Sequence, residues 1–229
     1  MRIAFFGGSF DPPHLGHLAI ARAAADRLAL NQVLFAPVGS QPLKAGLALA
    51  GYPDRLAMVT LATSADPRFI PSTLDQPRPD GSHNYTYDTL AAFKASLGLA
   101  TRHPENQLYC LLGADSFQTL HHWHRAADLL RLCDFIIAAR PGYPLDRIDA
   151  GLPPGIAITG RPSPTQFQLA GATTLHLLPD LDEDVSATAL RQALAQGDTA
   201  ASNPVLPPGV AAYIQTHHLY RDTAGVLPT

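Results

Sequence analysis

Cysteine, tryptophan and excess basic charge are all scarce in this chain of 229 residues, and each scarcity removes a class of function. The two cysteines, Cys110 and Cys133, fall inside or beside the apolar segments LYCLL and LRLCDFIIAA, the usual setting of buried reduced thiols. A disulfide framework is therefore not expected, and neither residue is a catalytic candidate. Lys and Arg number 16 against 19 Asp and Glu, with no basic block, so the phosphate-neutralising stripe of a nucleic-acid binder is missing. No stretch approaches the roughly 20 apolar residues of a spanning helix. The start, MRIAFFGGSFDPPH, lacks a charged leader followed by an apolar core. The expectation is a cytoplasmic protein with neither a membrane nor a nucleic-acid partner.

What is present is enough apolar residue, 46% against 15% charged, to bury a full core. An apolar run at 2–6 ends in Gly7-Gly8, and apolar residues then recur at helical spacing from Leu15 to Leu30. The alternation continues with a strand at 32–36, a helix near 53–65, a strand around 68–72 and a helix from Thr86 to Leu97 that Gly98 stops. LYCLL, a helical stretch near 123–132 and DFIIAA follow. Repeated βα units predict an α/β fold: a Rossmann-like open parallel sheet with helices on both faces, binding ligands where strands end. The Pro- and Gly-rich segment 141–172 reads as an irregular excursion within one domain spanning 1–229. After an apolar run at 174–178, Ser186 is placed to cap a helix over Ala187–Ala195, and Pro207-Pro208 to open a last one.

The string GGSFDPPHLGH lies where such a sheet holds phosphate, passing from the first strand through a Gly-rich turn onto a helix. Gly7 and Gly8 let the backbone approach a ligand, and the first-turn amides point at whatever anion lies there. His14 and His17 share a helical face, with Gly16 between them keeping that surface open. Two imidazoles aimed at a triphosphate can donate to oxygens whose charge grows in the transition state. Taken without its neighbours, the same pair would more often merely cap and pack a helix start; the flanking glycines and the preceding strand reverse that balance. No Gly-x-Gly-x-x-Gly follows the strand and no Gly-Lys-Ser/Thr is present, which argues against dehydrogenase and P-loop readings. A zinc reading of the pair lacks a third ligand at recognisable spacing.

On these residues the chain resembles the nucleotidyltransferase superfamily with the His-x-Gly-His signature, and within it the bacterial nicotinate-nucleotide adenylyltransferases. The likeness extends to NYTYDTL at 84–90, LLGADSF at 111–117 with Trp123 downstream, VSATALR at 185–191 and YIQTHHLY at 213–220. It implies that His14 and His17 contact the ATP phosphates, that the Ser9 and Phe10 amides line the site, and that Ser186, Thr188 and Arg191 clasp the nucleotide from a far helix. Gly113 and Asp115, after the fourth strand, join that ATP-binding set. His14, His17 and Arg191 are the catalytic candidates. The bottom-up reading of the far helix leaves two options, an anion clasp with a forked cation or an ordinary cap with a surface arginine.

The acceptor implied by the resemblance is nicotinate mononucleotide, with Lys44, Tyr85, Thr86 and Trp123 binding it. Helix-start amides at Tyr85 and Thr86 suit a carboxylate better than a neutral carboxamide, and Trp123, the only tryptophan, offers a face to a pyridine ring. Trp123 as a core anchor and Thr86 as a plain cap remain open on the residues alone. Two departures stand out: Gln41-Pro42-Leu43-Lys44 replaces the family's Pro-Pro-His-Lys, and Ala187 replaces a serine. HHWH at 121–124 lacks a carboxylate or Cys partner at ligand spacing and reads as a solvated turn. The expected reaction is adenylyl transfer from ATP, with Mg²⁺ arriving on ATP and no protein metal cage. The alternatives are a transferase using nicotinamide mononucleotide or phosphopantetheine, and a non-catalytic nucleotide-binding protein.

Overall fold

The computed structural model describes residues 1–40, 50–98, 106–143, 145–171, 173–179, 181 and 185–221. In chain order the elements are β1 (Arg2–Gly8), α1 (Leu15–Leu28), β2 (Gln32–Pro37), α2 (Tyr52–Thr63), β3 (Phe69–Pro71) and α3 (Thr86–Ser96). Then come β4 (Gln107–Gly113), α4 (Ala114–Gln118), α5 (Ala126–Leu132), β5 (Asp134–Ala138) and the strands β6 (Ile158–Ser163), β7 (Gln166–Leu169) and β8 (Thr174–Leu178). Two further helices, α6 (Ala187–Ala195) and α7 (Pro208–Thr216), follow.

The strands form one sheet in the order β3-β2-β1-β4-β5-β8-β7-β6. The chain first builds outward from β1 through β2 to β3, then crosses to β4 on the other side and builds the opposite way. The reversal leaves a crevice beyond the carboxyl ends of β1 and β4, the place where open α/β sheets take ligands. Both pairings of β1 are parallel, with Phe5 opposite Leu34 on one side and Cys110 on the other.

Successive side chains of a strand point to opposite faces, and both faces here are apolar because both are covered. Ala4, Phe6, Val33 and Tyr109 pack with Ala21 of α1, Met58 of α2, Leu190 of α6 and Val210 of α7. Phe5, Leu108, Cys110 and Phe135 pack on the other side with Leu90 of α3, Phe117 of α4 and Leu129 of α5. The α/β expectation with helices on both faces therefore holds, with a mostly parallel sheet. Among the described residues no helix is long and apolar enough to cross a membrane.

Two local expectations are corrected, and one short helix carries no sequence pattern. The segment 141–172, read as irregular, contains a short 3₁₀ turn over Leu145–Gly151 and the hairpin β6–β7, which extends the sheet antiparallel beyond β8. Pro162 and Gly160 obscured it, yet both are tolerable in β6 because it is an edge strand whose pairing is irregular. The helix expected near 123–132 begins only at Ala126, because Arg125 stands in the left-handed region at φ 53° and Trp123 is extended. The short helix α4 carries too few residues for periodicity to reveal it. Boundaries elsewhere follow local chemistry: Ser186 Oγ accepts from the Ala189 amide at 3.4 Å, and Gly98 sits at φ 65° past the end of α3.

Leu129 is fully buried between α5 and the sheet. Leu129→Ala is expected to lower the unfolding free energy by about 3 kcal/mol, read from a urea midpoint at unchanged m-value.

Candidate functional site

The site grows from the turn after β1. A Cβ on Gly7 would come within 2.7 Å of the Phe5 ring, and the Gly8 carbonyl accepts from the Val38 amide at 2.9 Å, tying the turn to the end of β2. Phe10 adopts φ 48° and buries its ring edge-on against Phe6, with centroids 5.4 Å apart. That anchor turns the chain toward α1, where His14 stands at the cap position.

His14 and His17 are stacked, with ring centroids 3.7 Å apart and planes at 30°. The His14 amide donates to His17 Nδ1 at 3.2 Å, so in the neutral ring the proton sits on Nε2. A Cβ on Gly16 would lie 3.1 Å from His14 Nδ1, so a larger residue there would push the ring aside. Burial, with the nearby Arg140 guanidinium as a lesser cause, lowers the His14 pKa to about 4. At neutral pH His14 is thus an uncharged imidazole.

A cation reaches the same turn from the other end of the chain. Arg191 on α6 donates through Nη1 to the Asp11 carbonyl at 2.7 Å and through Nη2 to Thr188 Oγ1 at 3.3 Å. Val185, just ahead of Ser186, lies against Gly16, so the start of α6 faces the start of α1. Asp115, in the first turn of α4, is paired with Arg140 at 2.6 Å. A Cβ on Gly113 would approach Asp115 Oδ1 to 2.5 Å, so a larger residue there would displace the carboxylate that faces Arg140.

Beside this polar cluster lies a cavity of about 740 Å³. Its walls bring Gly7, Gly8 and Ser9 together with Tyr85, Thr86 and Trp123. His14, His17, Gly113, Asp115, Ser186, Thr188 and Arg191 are outside those walls, while the β1 turn belongs to both regions. Tyr85 caps α3, and the helix-start amides that precede the first i→i−4 bond run from Tyr85 and Thr86 onward. His124 lies over the Tyr85 ring with centroids 4.3 Å apart, and the Trp123 indole Nε1 is buried without a hydrogen-bond partner among the described residues. Lys44, expected to touch an acceptor phosphate, lies outside the described residues, as does Leu43.

Several residues of the site carry no sequence signal. Asp75 is buried on the cavity wall, where burial raises its carboxyl pKa against the opposing hydrogen bond from Thr89 Oγ1 at 2.7 Å. Arg55 and Arg140 belong to none of the motifs picked out in the sequence. Asp11 lay inside the motif, but its burial shows only in three dimensions. Cys110 also lines the cavity; burial pushes its thiol up to about 12, which removes it as a nucleophile. Among the described residues no group of three or more His, Cys, Asp or Glu is placed to hold a metal ion.

Comparison with known proteins gives a consistent likeness. A family model described as cytidylyltransferase-like matches residues 5–193. A protein of Solibacter usitatus named probable nicotinate-nucleotide adenylyltransferase is 35% identical over 220 residues, covering 96% of this chain and 100% of that one. One of Laribacter hongkongensis with the same name is 40% identical over 223 residues, covering 96% and 94%. Among solved structures, the Plasmodium falciparum nicotinic acid mononucleotide adenylyltransferase complexed with NaAD superposes with a TM-score of 0.71. Its identity is 19% over 96% of this chain and 97% of that one, a likeness of fold.

The buried His14 makes a pH prediction whose sign follows from its lowered pKa. As pH falls from 6.5 toward 4, the unfolded chain binds a proton at this residue that the folded chain refuses, so stability falls with pH. The full effect is about 3 kcal/mol. The stability difference between wild type and His14→Gln, measured by urea denaturation from pH 7.5 to 4.5, should move in favour of the variant by that order; a pH-independent difference contradicts the burial of the ring.

Proposed function

Because the chain belongs to the cytidylyltransferase-like family and, within it, to the bacterial nicotinate-nucleotide adenylyltransferases, we propose that it transfers the adenylyl group of ATP to nicotinate mononucleotide. The products are nicotinate adenine dinucleotide and pyrophosphate, a step of NAD biosynthesis, which we place in the cytoplasm. The observation that carries this reading is the shared turn: Gly7, Gly8 and Ser9 line the cavity of Tyr85, Thr86 and Trp123 and lead directly into His14, His17 and the partner of Arg191.

In the reaction an oxygen of the nicotinate mononucleotide phosphate attacks the α-phosphorus of ATP in line. A new P–O bond forms, the bond from the α-phosphorus to the bridging oxygen breaks, and pyrophosphate leaves. No covalent intermediate is needed, so the protein's work is to align the two phosphates and meet the growing negative charge. His17 Nε2 and the neutral His14 serve as donors, and the amides of Ser9 and Phe10 line the triphosphate. Arg191 supplies a fixed positive charge, with Ser186 and Thr188 beside it, while Gly113 and Asp115 lie toward the ribose of the nucleotide. In the cavity Trp123 offers its face to the pyridine ring, and the α3 start at Tyr85 and Thr86 receives the carboxylate. Lys44 is assigned to the acceptor phosphate.

ATP-using nucleotidyltransferases generally work with a divalent metal, and Mg²⁺ is the ion assigned here. The residues present suit an ion carried on the nucleotide by phosphate oxygens and water, because Asp115, the carboxylate in the first turn of α4, is already engaged by Arg140. When bound, Mg²⁺ supplies charge neutralisation to the triphosphate oxygens.

Two measurements test the proposal. Pyrophosphate release from ATP and Mg²⁺, compared for nicotinate and nicotinamide mononucleotides at equal concentration, should strongly favour the acid. Equal use of both would remove the carboxylate role of the α3 start, and release with neither would remove the assigned reaction. His17→Ala should lower kcat by about 10²-fold or more with the fold intact, the usual cost of a lost transition-state donor; wild-type turnover would strip His17 of its role.

A further inference from the structure

Asp11 closes the turn after β1 and has no exposure to solvent. Three segments distant in sequence converge on it. Its carbonyl accepts Arg191 Nη1 at 2.7 Å, and its Oδ2 lies 3.7 Å from the same nitrogen. Its Oδ1 accepts the Ala50 amide at 3.1 Å and the Tyr220 hydroxyl at 2.7 Å.

Tyr220 comes just after α7, in the left-handed region at φ 62°, and packs against the buried cluster to which α1, α2, α6 and α7 contribute. A tyrosine with a left-handed backbone is uncommon and needs surrounding contacts to hold it. Here those contacts aim its hydroxyl at a buried carboxylate. Burial and the adjacent Asp11 both push the phenol pKa up, so Tyr220 stays a proton donor wherever the protein is folded.

A carboxyl group buried away from water is held in one orientation by the hydrogen bonds it accepts; here both go to Oδ1, which leaves Oδ2 without a hydrogen-bond donor among the described residues and facing Arg191. The Asp11 side chain and its carbonyl belong to one residue. Fixing the side chain from Tyr220 and Ala50 therefore fixes the carbonyl that Arg191 holds.

We propose that Tyr220 is a positioning residue for nucleotide binding, acting through Asp11 on the orientation of Arg191. The proposal rests on reading Arg191 as a ligand of the ATP phosphates. Tyr220 itself reaches neither the cavity wall nor the histidine pair; its influence passes through the turn.

The test is a double-mutant cycle on ATP affinity, measured by calorimetry with Mg²⁺ and no acceptor. Tyr220→Phe keeps the ring and removes only the hydroxyl. It should weaken ATP by about tenfold, the size of one lost hydrogen bond to an ion. In the Arg191→Ala background the same change should weaken ATP no further, because the residue it acts on is gone. Leu219→Ala, a packing change in the same segment, should lower Tm yet leave ATP affinity within about twofold.

Equal weakening by Tyr220→Phe in both backgrounds, or no weakening in the wild type, overturns the proposal while leaving the adenylyl-transfer reading intact. A wild type that binds no ATP overturns both. Should Tyr220→Phe fail to fold, Asp11→Ala takes its place in the cycle: it removes the side-chain acceptor of the Tyr220 hydroxyl, keeps the main-chain carbonyl that Arg191 holds, and is judged by the same outcomes.

Discussion

Arg55 is 3% exposed, and its guanidinium is satisfied almost wholly by main chain: Nη1 donates to the Ser9 carbonyl at 2.8 Å, Nη2 to the Val38 carbonyl at 2.8 Å and Nε to the Ala50 carbonyl at 3.0 Å. One side chain on α2 thus clamps the turn after β1, the end of β2 and the approach to α2 itself. Turning the Ser9 carbonyl toward Arg55 also settles the plane of the Ser9–Phe10 peptide, and with it the direction of the Phe10 amide. Burial disfavours the charged form, and the attraction of Asp11 and of the nearby tyrosines opposes that cost. The flat, forked geometry of arginine suits three separate carbonyls; a lysine ammonium could not reach all of them from one position.

Around this clamp the charges are sorted by what each must do. His14 is held neutral by burial, so it can donate without adding a positive charge that changes with pH. Permanent charge is left to arginine, with Arg191 half-sheltered at the α6 end of the turn and Arg140 facing Asp115. Arg140 also contributes to keeping His14 uncharged, so the two groups are coupled. His14 therefore adds no charge that changes through the range where an ordinary histidine titrates.

Much of this was legible in the sequence wherever the cause is local. The βα alternation, the Gly7-Gly8 turn, the spacing of His14 and His17 and the Ser186 cap are all set within a few neighbouring residues, and apart from the later start of α5 these elements appear where their patterns place them. Helix α4 and the hairpin β6–β7 were not legible, because a five-residue helix shows no period and an edge strand tolerates the Pro and Gly that spoil a strand pattern. The cavity and the convergence on Asp11 were legible least of all. Arg55, Arg191 and Tyr220 come from three helical regions, and nothing in the composition of any one of them says that it will turn inward.

The inward turn has a physical reason in the chemistry. A transfer between two phosphates without a covalent step draws its acceleration from alignment and preset charge, so the donors must already point correctly before the substrates arrive. Glycine-rich turns approach phosphate closely, but glycine also gives the backbone freedom, which works against preset donors. Phe10 answers this from the apolar side by burying its ring at a left-handed residue, while Arg55 and Asp11 answer it from the polar side with directed bonds to the main chain. A buried polar network is costly if one member is lost, because the remaining charges have no water to turn to. The same cost leaves the turn few alternative conformations, and rigidity at that point is what a positioning catalyst requires.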